Sequence, residues 1–327
     1  MNPTRRDSIR TIVSTLVGTA VGSAAHAQAD WPARAVRFVV PVAPGGSADM
    51  LARTLGERLA KAFGQPFVVE NVSGGGGVIA TQSTARATAD GHLVMLSYSA
   101  THSTNPAVRK VPYDFDKDFT PIAMIGGTPN VLVVNASINA ASFRDFIALL
   151  KAGPTKYSYG SAGLGTLTHL AMEQLKESTR TFMVHVPYRG GSPMMADLVG
   201  GQINAAMPSL STALPHIRGG RIRALAVTSS KRHPALPDTP TLAELGLKGF
   251  ETVQWYGVHG PAGMPPAVVR RLNEGINKQI AAPDLQEKLA QDAITVTPMS
   301  PEQFRAYVQR DGKQWVQLVQ SRKLVVE

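Results

Sequence analysis

Short apolar runs alternate with amphipathic stretches along most of the chain, which is the pattern of an α/β protein with largely parallel sheets. Residues 36–42 form a β-branched strand, and the following stretch, 48–63, places Leu51, Leu55 and Leu59 on one helical face. Further strands are predicted at 67–70 and 93–98, with a helix over 78–86 between them. A second series begins at 131–134 and a helix opened by Ser142 and Asp145 as a capping-box-like pair. It continues through strands at 156–159, 182–186, 203–207 and 223–227. Helices are predicted over 166–178, from Ser192 as N-cap with Pro193 at the first helical position, and around 210–218. Thr241 and Glu244 are expected to cap a short helix ahead of an extended segment at 253–259. The remainder reads as helices opened by Pro265-Pro266, by Pro283 and by Ser300-Pro301-Glu302.

Two such series followed by a helical tail predict two α/β lobes joined by strands that cross near 119–127 and 250–260. The first lobe is expected to comprise 28–125 with 254–327, and the second 126–253. Ahead of them, residues 1–27 read as a cleaved export signal. Arg5, Arg6 and Arg10 form a basic start, and Ala25-His26-Ala27 offers the small-x-small cleavage pattern. The uncharged run between is too short to span a bilayer, which needs about 20 apolar residues. The pair Arg5-Arg6 suits a twin-arginine signal, while Ser8, where an aromatic is usual, leaves the Sec route open. A periplasmic monomer is expected.

Composition narrows the partners. The formal net charge is +10, and the signal carries three Arg and one Asp, so the mature chain stays at +8. Its basic residues are scattered, with Arg218, Arg221 and Arg223 the densest group, which reads as solvated surface and not as a nucleic-acid patch. Cysteine is absent, which excludes disulfides, thiol catalysis and Cys-based metal sites. The eight histidines include no pair at a metal-ligand spacing such as His-Glu-x-x-His, and no metal or cofactor is expected.

The candidate chemistry lies in three loops that each follow a strand and open a helix: Pro44-Gly45-Gly46-Ser47, Ser73-Gly74-Gly75-Gly76-Gly77, and the run from Gly160 to Thr166. Glycine lets a backbone approach a ligand closely, and a helix start presents unpaired N–H groups at the positive end of the macrodipole, so together they suit an anion. None of the loops is a dinucleotide fingerprint or a nucleotide P-loop, and none contains Lys or Arg, which favours a carboxylate over phosphate. The residues predicted to meet the ligand are Gly45, Gly46, Ser47 and Asp49 at the first loop and Gly76 at the second. Ser99, Thr101 and His102 follow the third strand, Ser161, Gly165, Thr166 and His169 belong to the third loop and its helix, and Ser209 follows strand 203–207. Structural capping is the leading reading of Asp49, with ligand contact the lesser one. A hydrolase would need Ser161 as nucleophile with His169 as base and Asp197 as orienter, yet Ser161 lacks the Gly-x-Ser-x-Gly elbow, so an enzyme is not expected.

Several of these stretches resemble the Bug-type (Bordetella uptake gene) binding proteins of tripartite tricarboxylate transporters. The similar segments are Trp31-Pro32, the run from Pro41 to Asp49, Glu70-Asn71, Ala89-Asp90-Gly91, Tyr159-Gly160-Ser161 with Gly165-Thr166 and His169-Leu170, the run from Val186 to Gly191, Pro240 to Glu244, and Trp255 with Pro261 to Pro265. They cover nearly the whole mature chain in the family's order. The resemblance implies a type II periplasmic-binding-protein fold, a carboxylate held by the first and third loops partly through water, and delivery to membrane transporter subunits. Arg189 stands where Lys is common and Val42 where an aromatic is common, and Val42 bears on the floor of the pocket. A ligand sensor that reports to a receptor kinase is the alternative use of the same architecture, and the carboxylate itself, di-, tri- or aromatic, is left open.

Overall fold

The computed structural model describes residues 31–322, and the expected export signal at 1–27 lies outside the described residues. Two sheets carry the fold. The first is built from β1 (Val36–Val40), β2 (Phe67–Asn71), β3 (Leu93–Tyr98), β4 (Phe119–Pro129), β10 (Val253–Pro261) and β11 (Thr295–Val296), in the order β11-β4-β10-β3-β1-β2. The second is built from β5 (Val131–Asn135), β6 (Ser158–Ser161), β7 (Val184–Pro187), β8 (Ala205–Ala206) and β9 (Ile222–Val227), in the order β7-β6-β8-β5-β9.

The two sheets repeat one plan. In each, a central strand pairs in parallel with the next two strands of its series, β1 with β2 and β3, and β6 with β7 and β8. An antiparallel strand from elsewhere in the chain then joins the third member, β10 on β3 and β5 on β8. Since ligands in open α/β sheets bind beyond the carboxyl ends of the strands, the loops after β1 and β6 occupy equivalent places in the two lobes. The chain passes between the sheets at Asn130, directly after β4, and again ahead of β10.

The helices follow from their patterns. Helix α1 (Ser47–Phe63) buries Leu51, Leu55 and Leu59 against the first sheet and ends on Gly64 at φ 71°, whose N–H donates to Ala60 O. Around β2 and β3 lie α2 (Val78–Ala85) and the four-residue α3 (Asn105–Val108). Helix α4 (Phe143–Ala152) has both arms of the Ser142–Asp145 capping box in place. The second lobe adds α5 (Leu167–Thr179), α6 (Gly191–Val199) and α7 (Leu210–Arg218), and α8 (Pro266–Ile280), α9 (Pro283–Gln291) and α10 (Pro301–Arg322) return to the first sheet. Trp315 of α10 also packs on Leu167 and Leu170, which ties the last helix to the start of α5.

Two local expectations are corrected. Thr241 and Glu244 make both capping hydrogen bonds, but what they close is a turn and not a helix. Ser192 does not cap α6, which starts one residue earlier behind Gly190; its hydroxyl instead donates to Pro44 O at 2.9 Å, in the other lobe. Among the described residues, no helix is long and apolar enough to cross a membrane.

Candidate functional site

The first wall of the site is the loop from β1 to α1. Gly45 turns at φ 87°, a conformation that suits glycine, and its N–H donates to Asp49 Oδ2 at 2.9 Å. Asp49 also accepts from Arg53 at 3.0 Å and from Asn71 Nδ2 at 2.9 Å, and Asn71 Nδ2 reaches back to Val42 O at 3.1 Å. Burial pushes the Asp49 carboxyl up, but the hydrogen bonds from Arg53, Gly45 and Asn71 together outweigh it and hold it below the usual carboxylate range. Asp49 therefore fixes the loop from underneath.

The second wall is the loop from β6 to α5. Ala162 N–H donates to Thr168 Oγ1 at 2.8 Å, Gly163 N–H to Ser161 Oγ at 3.2 Å, and Thr166 Oγ1 to Gly163 O at 2.6 Å. Behind it, Ser161 Oγ lies 2.7 Å from His185 Nε2, and Gly165 N–H donates to His169 Nδ1 at 3.3 Å. His185 is stacked between Tyr159 and His169, with ring centroids 4.8 and 4.2 Å away. Burial drives His169 down to about 3 and His185 to about 4, so both rings are neutral near pH 7.

Between the walls lies a narrow cavity of about 40 Å³. Gly46, Ser47 and Ala48 line it from the start of α1, Thr166 and Thr168 from α5, Gly191 from α6, and Ser209 and Thr212 from α7. None of the four N-caps, Gly46, Thr166, Gly190 and Ser209, makes a side-chain capping hydrogen bond. The leading N–H groups of a helix have no intrahelical partner, and each helix start carries about half a positive charge. No charged side chain lines the cavity. Four helix dipoles converging on uncharged hydroxyl-bearing walls can hold anionic oxygens without a Lys or Arg.

The lobes touch at both rims. Besides the Ser192–Pro44 bond, Thr104 Oγ1 donates to Gly165 O at 2.6 Å, and Arg109 Nη2 spans Gly75 O at 2.5 Å and Leu164 O at 3.2 Å. At Gly76 the backbones are so close that a Cβ would sit 2.8 Å from Leu164 O.

Of the residues predicted from the sequence, Gly46, Ser47, Thr166 and Ser209 line the cavity. Gly45 and Asp49 support the first wall, and Ser161, Gly165 and His169 support the second. Gly76 belongs to the rim contact instead of the cavity. Ser99, Thr101 and His102 are buried in the first lobe, because the chain after β3 winds into a wide turn, Ala100–Thr104, that directs them inward. There Thr101 Oγ1 bonds Tyr98 and His102, and His102 stacks on His259. The Ser161–His169–Asp197 arrangement does not assemble: Ser161 is buried and pairs with His185, and Asp197 accepts from Tyr188 OH at 2.7 Å. Unanticipated lining comes from Thr168, Met194, Thr212 and Gln254. Thr212, three residues into the turn that Ser209 opens, was the one with a usable sequence signal. Among the described residues no group of His, Asp and Glu is placed to hold a metal.

Residues 51–324 match the family model described as the tripartite tricarboxylate transporter family receptor. The chain is 36% identical over 302 residues to protein BugT of Bordetella pertussis, covering 90% of this chain and 92% of BugT. Among solved structures it superposes on R. palustris Rpa4515 with adipate at a TM-score of 0.87 and 35% identity, covering 90% of this chain and 99% of that one. It also superposes on MatC from Rhodopseudomonas palustris with bound malate at a TM-score of 0.85 and 30% identity, covering 88% and 100%.

Proposed function

Since the chain belongs to the tripartite tricarboxylate transporter receptor family and has the two-lobe fold of periplasmic binding proteins, we propose that it captures a small carboxylate between its lobes and delivers it to a membrane transporter. The observation that carries this reading is the meeting of four uncapped helix starts, one from the first lobe and three from the second, on one cavity free of charged side chains. A carboxylate is costly to desolvate unless each oxygen is hydrogen-bonded, and here N–H groups and hydroxyls from both walls supply the donors. In this reading Gly46, Ser47, Thr166 and Ser209 contact the ligand, and Gly45, Asp49, Ser161, Gly165 and His169 hold the contacting loops in place. The closing units are the two sheets with their helices; β4 carries the first lobe to Pro129, a few residues beyond the expected boundary at 125, and the chain returns to it ahead of β10.

A ligand that touches both lobes stabilises the closed arrangement relative to an open one, and the closed outer surface is what a transporter would recognise. The protein then acts in the periplasm, after removal of its export signal, as a monomer and without catalysing a reaction. Rpa4515 with adipate and MatC with malate make dicarboxylates the first compounds to try. A ligand at 100 times its Kd adds about 2.7 kcal/mol of stability, which raises Tm by several degrees. Thermal unfolding with malate, adipate, and mono-, tri- and aromatic carboxylates at millimolar concentration should reveal at least one such rise. A flat response to the entire set would remove the proposal.

A further inference from the structure

The floor of the cavity is a chain of hydroxyl groups gathered from both lobes. The Tyr256 phenol on β10 is buried and lies 2.5 Å from Ser47 Oγ. Gln254, on the same face of the same strand, donates from Nε2 to the Tyr256 oxygen at 2.6 Å. From the second lobe, Thr212 Oγ1 donates to Ser47 Oγ at 3.2 Å, and Ser209 Oγ lies 2.9 Å from Thr212 Oγ1.

The hydrogens in this chain can be counted. The amide nitrogen of Gln254 has no lone pair to offer, so the Tyr256 oxygen accepts there. Its single hydrogen then goes to Ser47 Oγ, which at 2.5 Å is the closest hydroxyl acceptor, although Ser209 and Ser211 also interact with the phenol. Ser47 accepts from Tyr256 and from Thr212, which occupies both its lone pairs. What remains is its own O–H; the remaining protein oxygen near it, Ser209 Oγ, is 3.4 Å away, beyond the usual O–H···O distance, so a ligand oxygen in the cavity that Ser47 lines is the better acceptor. Donors that are themselves hydrogen-bonded in series polarise one another, which strengthens the last member.

We infer that Tyr256 and Gln254 are positioning residues that commit the Ser47 hydroxyl to donating into the cavity, and through it set the site's preference for ligand oxygens that only accept. This rests on the carboxylate reading above and adds the source of its selectivity. A carboxylate presents acceptors alone, whereas an amide of the same shape presents N–H groups in half of its orientations and meets Ser47 hydrogen to hydrogen. A site built around a fixed donor rejects the mismatched isostere because a polar group is left unpaired.

Acetate and acetamide are the matched probes, since every carboxylate ligand contains the first and the second is its neutral isostere. Both are titrated into the mature chain labelled with ¹⁵N, up to about 200 mM, following the Gly46, Ser47 and Thr212 amides, with a neutral hydroxyl lost costing the equivalent of one hydrogen bond. The native protein should favour acetate by about tenfold or more. Tyr256→Phe should weaken acetate by about three- to tenfold, leave acetamide nearly unchanged, and so collapse the ratio while Tm moves by a few degrees only. Gln254→Met should shift the ratio the same way by less, and it carries the test if Tyr256→Phe does not fold. Equal loss of both probes, or an unaltered ratio, would overturn the positioning role while leaving the carboxylate site standing. No response of the native protein to acetate would overturn both.

Discussion

In the first lobe His102 and His259 stack with ring centroids 4.1 Å apart, and in the second His169 and His185 stack at 4.2 Å. Each ring is pushed below the ordinary histidine range chiefly by burial, His102 and His169 to about 3 and His185 to about 4. The surroundings differ. His102 and His259 bond Thr101 and Ser97 of their own lobe and are packed by Phe119 and Phe304, away from the cavity. His169 and His185 bond Gly165 N–H and Ser161 Oγ, which belong to the loop that forms the second wall. The same neutral stacked pair therefore serves as core in one lobe and as the backing of a site in the other. What a buried histidine does is decided by which part of the fold it touches, and not by its burial or its pKa.

The comparison breaks most severely with acid. In the unfolded chain these histidines titrate near 6.5, and in the folded chain their values lie lower. Their contribution to stability is complete above about pH 6.5 and is lost as pH falls toward about 4 for His185 and about 3 for His102 and His169. Each group removes up to about 1.4 kcal/mol per pH unit across that window. Unfolding free energies from urea titrations between about pH 7.5 and 4 should fall steeply, by several kcal/mol in all; a flat profile would mean that the rings are not held neutral.

The two pairs should then separate under mutation. His185→Leu removes one of the two partners of the buried Ser161 hydroxyl, leaving the Gly163 N–H, a loss of about 1–3 kcal/mol, and loosens the second wall. His102→Leu removes one bond to Thr101 and some core packing at similar cost. Calorimetric titration with whichever carboxylate raises Tm most should show roughly fivefold weaker binding for the first variant and unchanged affinity for the second. Equal losses would mean that the second pair is core as well.

Legibility of the site tracks sequence distance. Ser47 and Thr166 were readable because each follows glycines between a strand and a helix, so local rules place it at a helix start. Tyr256 was not, because it meets Ser47 across 209 residues of chain through strand pairing that no local pattern encodes. His185 was missed for the same reason, since only the parallel pairing of β6 with β7 brings it beside Ser161. Gly76 was misread for a different one. Glycine is needed where a backbone approaches a ligand and equally where it approaches another backbone, and the sequence carries no mark that separates them. The wide turn after β3 inverted the reading of Thr101 and His102: Thr101 Oγ1 bonds Tyr98 and His102 Nδ1, and His102 Nε2 is buried without a hydrogen-bond partner.

The misread glycine offers the next test. Gly76 holds φ 66°, and a methyl group there would meet Leu164 O of the opposite lobe at 2.8 Å. Gly76→Ala should keep the lobes from approaching fully and weaken carboxylate binding by about tenfold, since strain of this kind costs about 1–3 kcal/mol. Small-angle scattering in saturating carboxylate should report a larger radius of gyration than the native protein. An unchanged radius and affinity would mean that closure does not pass through this contact.

The smallest effect should come from the support of the first wall, and it sharpens the comparison of the lobes most. Asp49→Asn keeps the size of the side chain but leaves one oxygen for the Gly45 N–H, Arg53 and Asn71, so about 1 kcal/mol of stability and a two- to threefold loss of affinity are expected. Because the Asp49 value is lowered on folding, its contribution is present above the unfolded value near 4 and is lost as pH falls below it. The histidine window lies higher. Asp49→Asn should thus flatten the acid limb below about pH 4 and leave the fall between about 6.5 and 4 in place. If the upper fall disappeared instead, the acid sensitivity would belong to the first wall, and the histidine pair behind the second would not be its source.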